Sequence, residues 1–89
     1  MTALSQILNH KIVAILRGMP PKEIMNIANA LYDGGIRILE ITLNSENALP
    51  VIEQLSHSFK DKMLIGAGTV LNTAGAANAI NAGAAFLIS

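Results

Sequence analysis

The sequence predicts an α/β protein built on a parallel β-sheet, and three observations carry the prediction. Apolar runs of strand length begin near residues 11, 36, 63 and 84, a repeat of about 25 residues. Between them lie segments whose apolar residues recur at helical spacing. Glycine and proline punctuate the boundaries. Strands that alternate with helices are joined by right-handed crossovers and make a parallel sheet. Two architectures satisfy this pattern: an open doubly wound sheet, or part of a (β/α)8 barrel. Eight units of this length make roughly 200 residues, the lower end of barrel sizes. The 89 residues hold about the first four such units.

The elements follow in order. Lys11-Ile12-Val13-Ala14-Ile15-Leu16-Arg17 reads as a buried strand, stopped by Gly18. Pro20-Pro21 opens a helix with Ile24, Ile27, Ala28 and Leu31 on one face, and Gly34-Gly35 ends it. Ile36 to Leu43 is the second strand. Ser45 is read as the N-cap of a second helix, with Ala48, Ile52, Leu55 and Phe59 along one side. Met63 to Ala67 is the third strand, and Asn72 caps an Ala-rich helix ending at Gly83. Ala84 to Ile88 is the fourth strand, with no covering helix after it. An uncovered apolar strand is an association hazard. The reading is therefore a truncated chain, or one that completes itself with another copy.

Composition narrows the function classes. Hydrophobic residues make up 52% and charged ones 13%, with few aromatics, which favours a tightly packed body over a disordered one. Net charge is zero and the six basic residues are scattered, so no footprint for nucleic acid or an anionic membrane exists. The absence of cysteine excludes disulfides and thiolate zinc sites and makes a reducing cytoplasm the expectation. Met1 to His10 lacks the pattern of a signal peptide, and the longest aliphatic run, Ile12 to Leu16, is too short to span a bilayer.

Three strands end in a polar group, at the edge where parallel α/β proteins place their active sites. Glu40 is the most telling, because a carboxylate in a buried strand costs several kcal/mol unless paired or hydrated. It shares a face with Ile38 and Thr42, while Leu39, Ile41 and Leu43 point to the helices. Arg17 closes the first strand on the face of Val13 and Ile15. Thr69 closes the third on the face of Ile65 and Ala67. Strand alternation thus allows a cation, an acid and a hydroxyl to converge on one mouth. That set suits an anionic substrate with a labile proton. A structural acid, paired with Arg17 or Arg37, is the competing reading of Glu40.

Gly66-Ala67-Gly68-Thr69 follows a strand as a dinucleotide motif does, but Leu71 replaces the third glycine and no ribose-binding acid follows. The glycines are read instead as letting the backbone approach a small ligand. His10 and His57 are assigned to surface positions. The lysines (Lys11, Lys22, Lys60, Lys62) lie away from strand C-terminal ends and read as solvated charges.

Taken in order, Ile12-Val13-Ala14-Ile15-Leu16-Arg17-Gly18, Gly34-Gly35-Ile36, Leu39-Glu40-Ile41-Thr42-Leu43-Asn44-Ser45, Ile65-Gly66-Ala67-Gly68-Thr69-Val70-Leu71 and Ala82-Gly83-Ala84 to Ser89 form a specific pattern. The chain resembles the N-terminal half of the bacterial 2-keto-3-deoxy-6-phosphogluconate / 4-hydroxy-2-oxoglutarate aldolases, including their 6-phosphogalactonate-type relatives. The resemblance implies that residues 1–89 are half of a single (β/α)8 TIM-barrel domain, homotrimeric and cytoplasmic. It implies a class I aldolase with no metal or other cofactor, whose partner is a small keto acid or phosphosugar acid. A lysine forms a Schiff base with the keto group, and cleavage gives pyruvate and an aldehyde.

By that resemblance Glu40 is the catalytic general acid/base, while Arg17 and Thr69 hold the substrate's anionic end. Asn44 stands in the substrate-binding position where the family often has arginine; some galactonate-type relatives resemble this Leu-Asn-Ser version. The family's Schiff-base lysine lies on the sixth strand and its phosphate loops after the seventh and eighth, all outside these 89 residues. The chain alone is therefore expected to be inactive. The rival readings are a TIM-barrel phosphosugar epimerase or isomerase, and a non-catalytic self-associating half-barrel.

Overall fold

The computed structural model describes residue 3 and residues 12–89. The expectations for His10, Lys11 and the start of the first strand lie outside them. A parallel sheet of order β1-β2-β3 is built from Ala14–Leu16 (β1), Ile38–Thr42 (β2) and Leu64–Gly68 (β3). Among the described residues, three α-helices connect and follow the strands: Ile24–Asp33 (α1), Ala48–Ser58 (α2) and Thr73–Asn81 (α3). Strand and helix alternate as expected.

The fourth strand is present as a shorter contact than the sequence suggests. One parallel bridge joins Ala67 to Leu87. Around it Ala85 donates to Ile65, Phe86 accepts from Ala67, and Ile88 bonds both Ala67 and Val70, at 2.8–3.1 Å. Residues 85–88 thus run beside β3 as a fourth, bonded segment.

Helix ends follow local chemistry. Pro21 begins a 3-10 turn, Pro21–Glu23, that leads into α1. Beyond α1, Gly35 takes φ 100°. Its N–H bonds Tyr32 at 3.0 Å and that of Ile36 bonds Leu31 at 2.9 Å, the paired bonds of a Schellman ending. Gly83, at φ 109°, ends α3 in the same way with bonds to Ile80 and from Ala84 to Ala79. Asn72 caps α3 as predicted, accepting from the Gly75 N–H at 2.7 Å.

Ser45 is not the cap of α2. Asn47 occupies that place in a left-handed conformation, φ 53°, and makes no side-chain cap bond. Ser45 lies two residues too early to cap and has other partners, described below.

The core lies on one face of the sheet. Leu16, Leu39, Ile41, Ile65 and Ala67 pack there against Ile24 and Ala28 of α1, Val51, Ile52 and Leu55 of α2, Ala79 of α3, and Phe59. Ile27 and Leu31, expected on the buried side of α1, pack against this cluster half-buried. Every residue of β2 is buried on both faces, which fits a central parallel strand. The opposite face carries Ile15, Ile38, Glu40, Thr42, Gly66 and Gly68, because parallel register pairs Ile15 with Glu40, Glu40 with Gly66, and Thr42 with Gly68.

Candidate functional site

The register decides which side chains share a mouth. Glu40 sits in the middle of β2, on the face away from the helices, and only 5% of it is exposed. Arg17 follows β1 on the face of Ile15, and so on the same side. Among the described residues no ion pair or hydrogen bond reaches the Glu40 carboxylate. Arg37 is committed at the other end of the strand: its guanidinium bonds the carbonyls of Tyr32 and Ile36 at 2.8 and 3.0 Å. It also lies 4.0 Å over the Tyr32 ring. Neither arginine pairs with Glu40, so the reading of a salt-bridged structural acid does not hold among the described residues.

Thr69 reaches the mouth by a route that strand alternation does not provide. Ile65 and Ala67, whose face it was assigned, lie on the helix side with Leu39 and Ile41. Continued alternation sends residue 69 to that side, away from Glu40. Instead Thr69 adopts φ 55°. A left-handed conformation costs a β-branched residue roughly 1–2 kcal/mol, and such strain concentrates at functional sites. The turn brings the hydroxyl within 3.5 Å of Arg17 Nη2, and Asn44 Oδ1 accepts from Arg17 Nη1 at 3.3 Å. Arg17, Asn44 and Thr69 therefore meet, from three different strand-ending loops.

A second set of bonds fixes those loops, and the sequence reading missed it. The buried Thr42 hydroxyl lies 2.7 Å from Ser45 Oγ and 3.5 Å from the carbonyl oxygen of Leu16. Ser45 Oγ accepts from the Gly18 N–H at 2.8 Å. This bridge ties the loop after β2 to the loop after β1, on either side of Asn44 and Arg17. Beside it, Leu43, Asn44, Thr69, Leu71, Asn72 and Gly75 line a concavity of about 230 Å³.

The glycines of β3 make room for side chains rather than for a ligand. A Cβ on Gly68 would overlap the Glu40 carboxylate, and one on Gly66 would overlap the Phe86 ring. The space that the sequence reading left for a small molecule is filled by protein. A signal existed: a strand of alternating glycines beside a strand carrying an acid.

His57, Lys22, Lys60 and Lys62 are exposed, as expected. Among the described residues no group of three metal-ligating side chains forms, and no helix is long and apolar enough to cross a membrane.

Comparison with known proteins identifies the family. The model of the KDPG and KHG aldolase family matches residues 4–89. A 2-dehydro-3-deoxy-phosphogluconate aldolase from Pseudoalteromonas atlantica is 44% identical over 88% of this chain, which spans 36% of that relative. The 2-dehydro-3-deoxy-6-phosphogalactonate aldolase of Escherichia coli K12 is 43% identical over 67% of the chain and 29% of its own length. Among solved structures, the KDPG aldolase of Legionella pneumophila, with pyruvate captured as a covalent carbinolamine intermediate, superposes with TM-score 0.81. It is 36% identical over 86% of this chain and 37% of its own. The chain thus spans about a third of the length of these relatives, and it belongs to the KDPG and KHG aldolase family.

Proposed function

We propose that this chain supplies the acid and part of the anion-binding wall of a Schiff-base aldolase, as the first βα units of a (β/α)8 barrel. What supports the reading is a buried acid, Glu40, on the sheet face that Arg17 shares, with Arg17 meeting Asn44 and Thr69 in the loops after the strands, in a member of this family. Substrate is a 2-keto-3-deoxy-6-phospho sugar acid or 4-hydroxy-2-oxoglutarate, and the products are pyruvate and an aldehyde.

The chemistry asks for a proton carrier. A lysine amine adds to the substrate's C2 keto carbon to give a carbinolamine. Loss of water from it gives an iminium, and the proton that leaves with the hydroxyl comes from a general acid. A base then takes the proton of the C4 hydroxyl, the C3–C4 bond breaks, and its electron pair passes into the enamine as the aldehyde departs. Protonation at C3 and addition of water release pyruvate and restore the amine. Glu40 is the group assigned to these transfers. The carbinolamine caught in the Legionella pneumophila relative is the first adduct of such a cycle.

Arg17, Asn44 and Thr69 are assigned to the substrate's anionic end. Arg17 offers charge-assisted donors, and its bonds of 3.3 and 3.5 Å to Asn44 and Thr69 are long enough to yield to a carboxylate or phosphate. The Schiff-base lysine and the phosphate loops are assigned to sequence beyond these 89 residues, and the complete protein to a homotrimer in the cytoplasm.

The test is the complete reading frame. Its product is expected to release pyruvate from 2-keto-3-deoxy-6-phosphogluconate, its galactonate epimer or 4-hydroxy-2-oxoglutarate, read by coupled lactate dehydrogenase. A lysine at the end of strand six separates this reading from an epimerase or isomerase. A frame that stops after Ser89 contradicts it and favours a self-associating half-barrel.

A further inference from the structure

We propose that Gly68 is a positioning residue for Glu40, and that β3 carries no side chain at positions 66 and 68 so that its two neighbours can lean over that face in separate tiers. Glu40 pairs in register with Gly66, yet its carboxylate does not lie over Gly66. It lies one pleat further along. A Cβ built on Gly68 would overlap Oε2 and stand 2.5 Å from Cδ and 2.8 Å from Cγ of Glu40. Real Cβ atoms do not approach so closely.

The lower tier is already taken. A Cβ on Gly66 would strike the Phe86 ring, which reaches over β3 from the segment on its far side. Phe86 and Glu40 thus come from opposite flanks and are sorted by two vacant positions, the ring over Gly66 and the acid over Gly68. Neither glycine has a positive φ, so backbone freedom does not explain them. Glycine weakens a strand interior, and two in a five-residue strand call for another cause. Volume supplies it. The vacancy at Gly68 holds the carboxylate at the level where Thr42 pairs with Gly68, next to the mouth formed by Arg17, Asn44 and Thr69.

The catalytic consequence takes the aldolase reading above as given; the seat itself does not. A methyl group at position 68 pushes the acid out of line without removing a substrate contact, so it slows proton transfer more than it weakens binding. Two measurements test this. In the complete protein, urea midpoints are compared for wild type, Gly68→Ala, Glu40→Ala and the double variant. Gly68→Ala is expected to lower the midpoint when Glu40 is intact. In the Glu40→Ala background, where the side chain at position 40 is too short to reach the added methyl, it is expected to leave the midpoint unchanged or higher. If Gly68→Ala does not fold, the double variant is expected to fold. Equal loss in both backgrounds, or failure of both to fold, overturns the seat.

In the complete protein, Gly68→Ala is expected to lower kcat about tenfold or more with KM within roughly threefold. Adding Glu40→Asp, one methylene shorter, is expected to recover part of that kcat, a response that a general loss of packing does not give. A raised KM with unchanged kcat, or no recovery, overturns the positioning role. If the wild-type complete protein has no aldolase turnover, the functional reading and the catalytic role fall together, while the urea midpoints still decide the seat.

Discussion

Arg37 and Arg17 sit at opposite ends of the strands, and their surroundings show how a fold separates a structural cation from an available one. Arg37 lies half-buried, bonds two backbone carbonyls at 2.8 and 3.0 Å, and rests 4.0 Å over the Tyr32 ring. Its Nη1 donors close the turn between α1 and β2. Arg17 is exposed, and its guanidinium bonds Asn44 and Thr69 at 3.3 and 3.5 Å. Those bonds orient the guanidinium without consuming it. The lesson extends to the acid between them: Glu40 is buried, yet neither cation neutralises it.

Four substitutions press on that contrast. The largest effect is expected from Glu40→Gln in the complete protein, which removes the proposed proton carrier and keeps the shape. Its kcat should fall about 10²- to 10⁴-fold with little change in KM, measured by pyruvate release. Arg17→Ala should raise KM roughly tenfold or more, the worth of a lost charge-assisted bond to an anion, with a smaller change in kcat.

Arg37→Ala should do the reverse. We expect a loss of about 1–2 kcal/mol in denaturant unfolding and no change in KM. If Arg37→Ala raises KM as much as Arg17→Ala does, the distinction between the two arginines is broken. Ser45→Ala, the mildest change, should cost about 1 kcal/mol of stability and raise KM a few-fold by loosening the Gly18–Ser45–Thr42 bridge, a far smaller effect than losing Arg17 itself.

What was legible in the sequence depended on how local its cause was. Gly35 and Gly83 end helices, and Asn72 caps one, through partners within a few residues, so pattern alone located them. The face shared by Ile38, Glu40 and Thr42 followed from the two-residue pleat. Ser45 misled because its partner, Gly18, is 27 residues away in sequence and a step across the sheet. Thr69 meets Arg17, but through a left-handed turn and not through the strand alternation read from the sequence. Pleat parity within β3 says which residues share a face, but only the register with β2 says whether that face is Glu40's. The left-handed turn that redirects Thr69 leaves no mark in the sequence, because a β-branched residue disfavours it. The β3 glycines were misread for the same reason as Ser45: their meaning lies in Glu40 and Phe86, on the segments to either side.

The proposed division of labour, with the acid in these 89 residues and the Schiff-base lysine outside them, is tested most directly by trapping. The 89-residue chain and the product of the complete reading frame are each incubated with pyruvate and borohydride, then weighed by mass spectrometry. The account predicts a single stoichiometric pyruvyl adduct on one lysine of the complete protein and none on the short chain. A stoichiometric adduct on Lys11, Lys22, Lys60 or Lys62 of the short chain would contradict it.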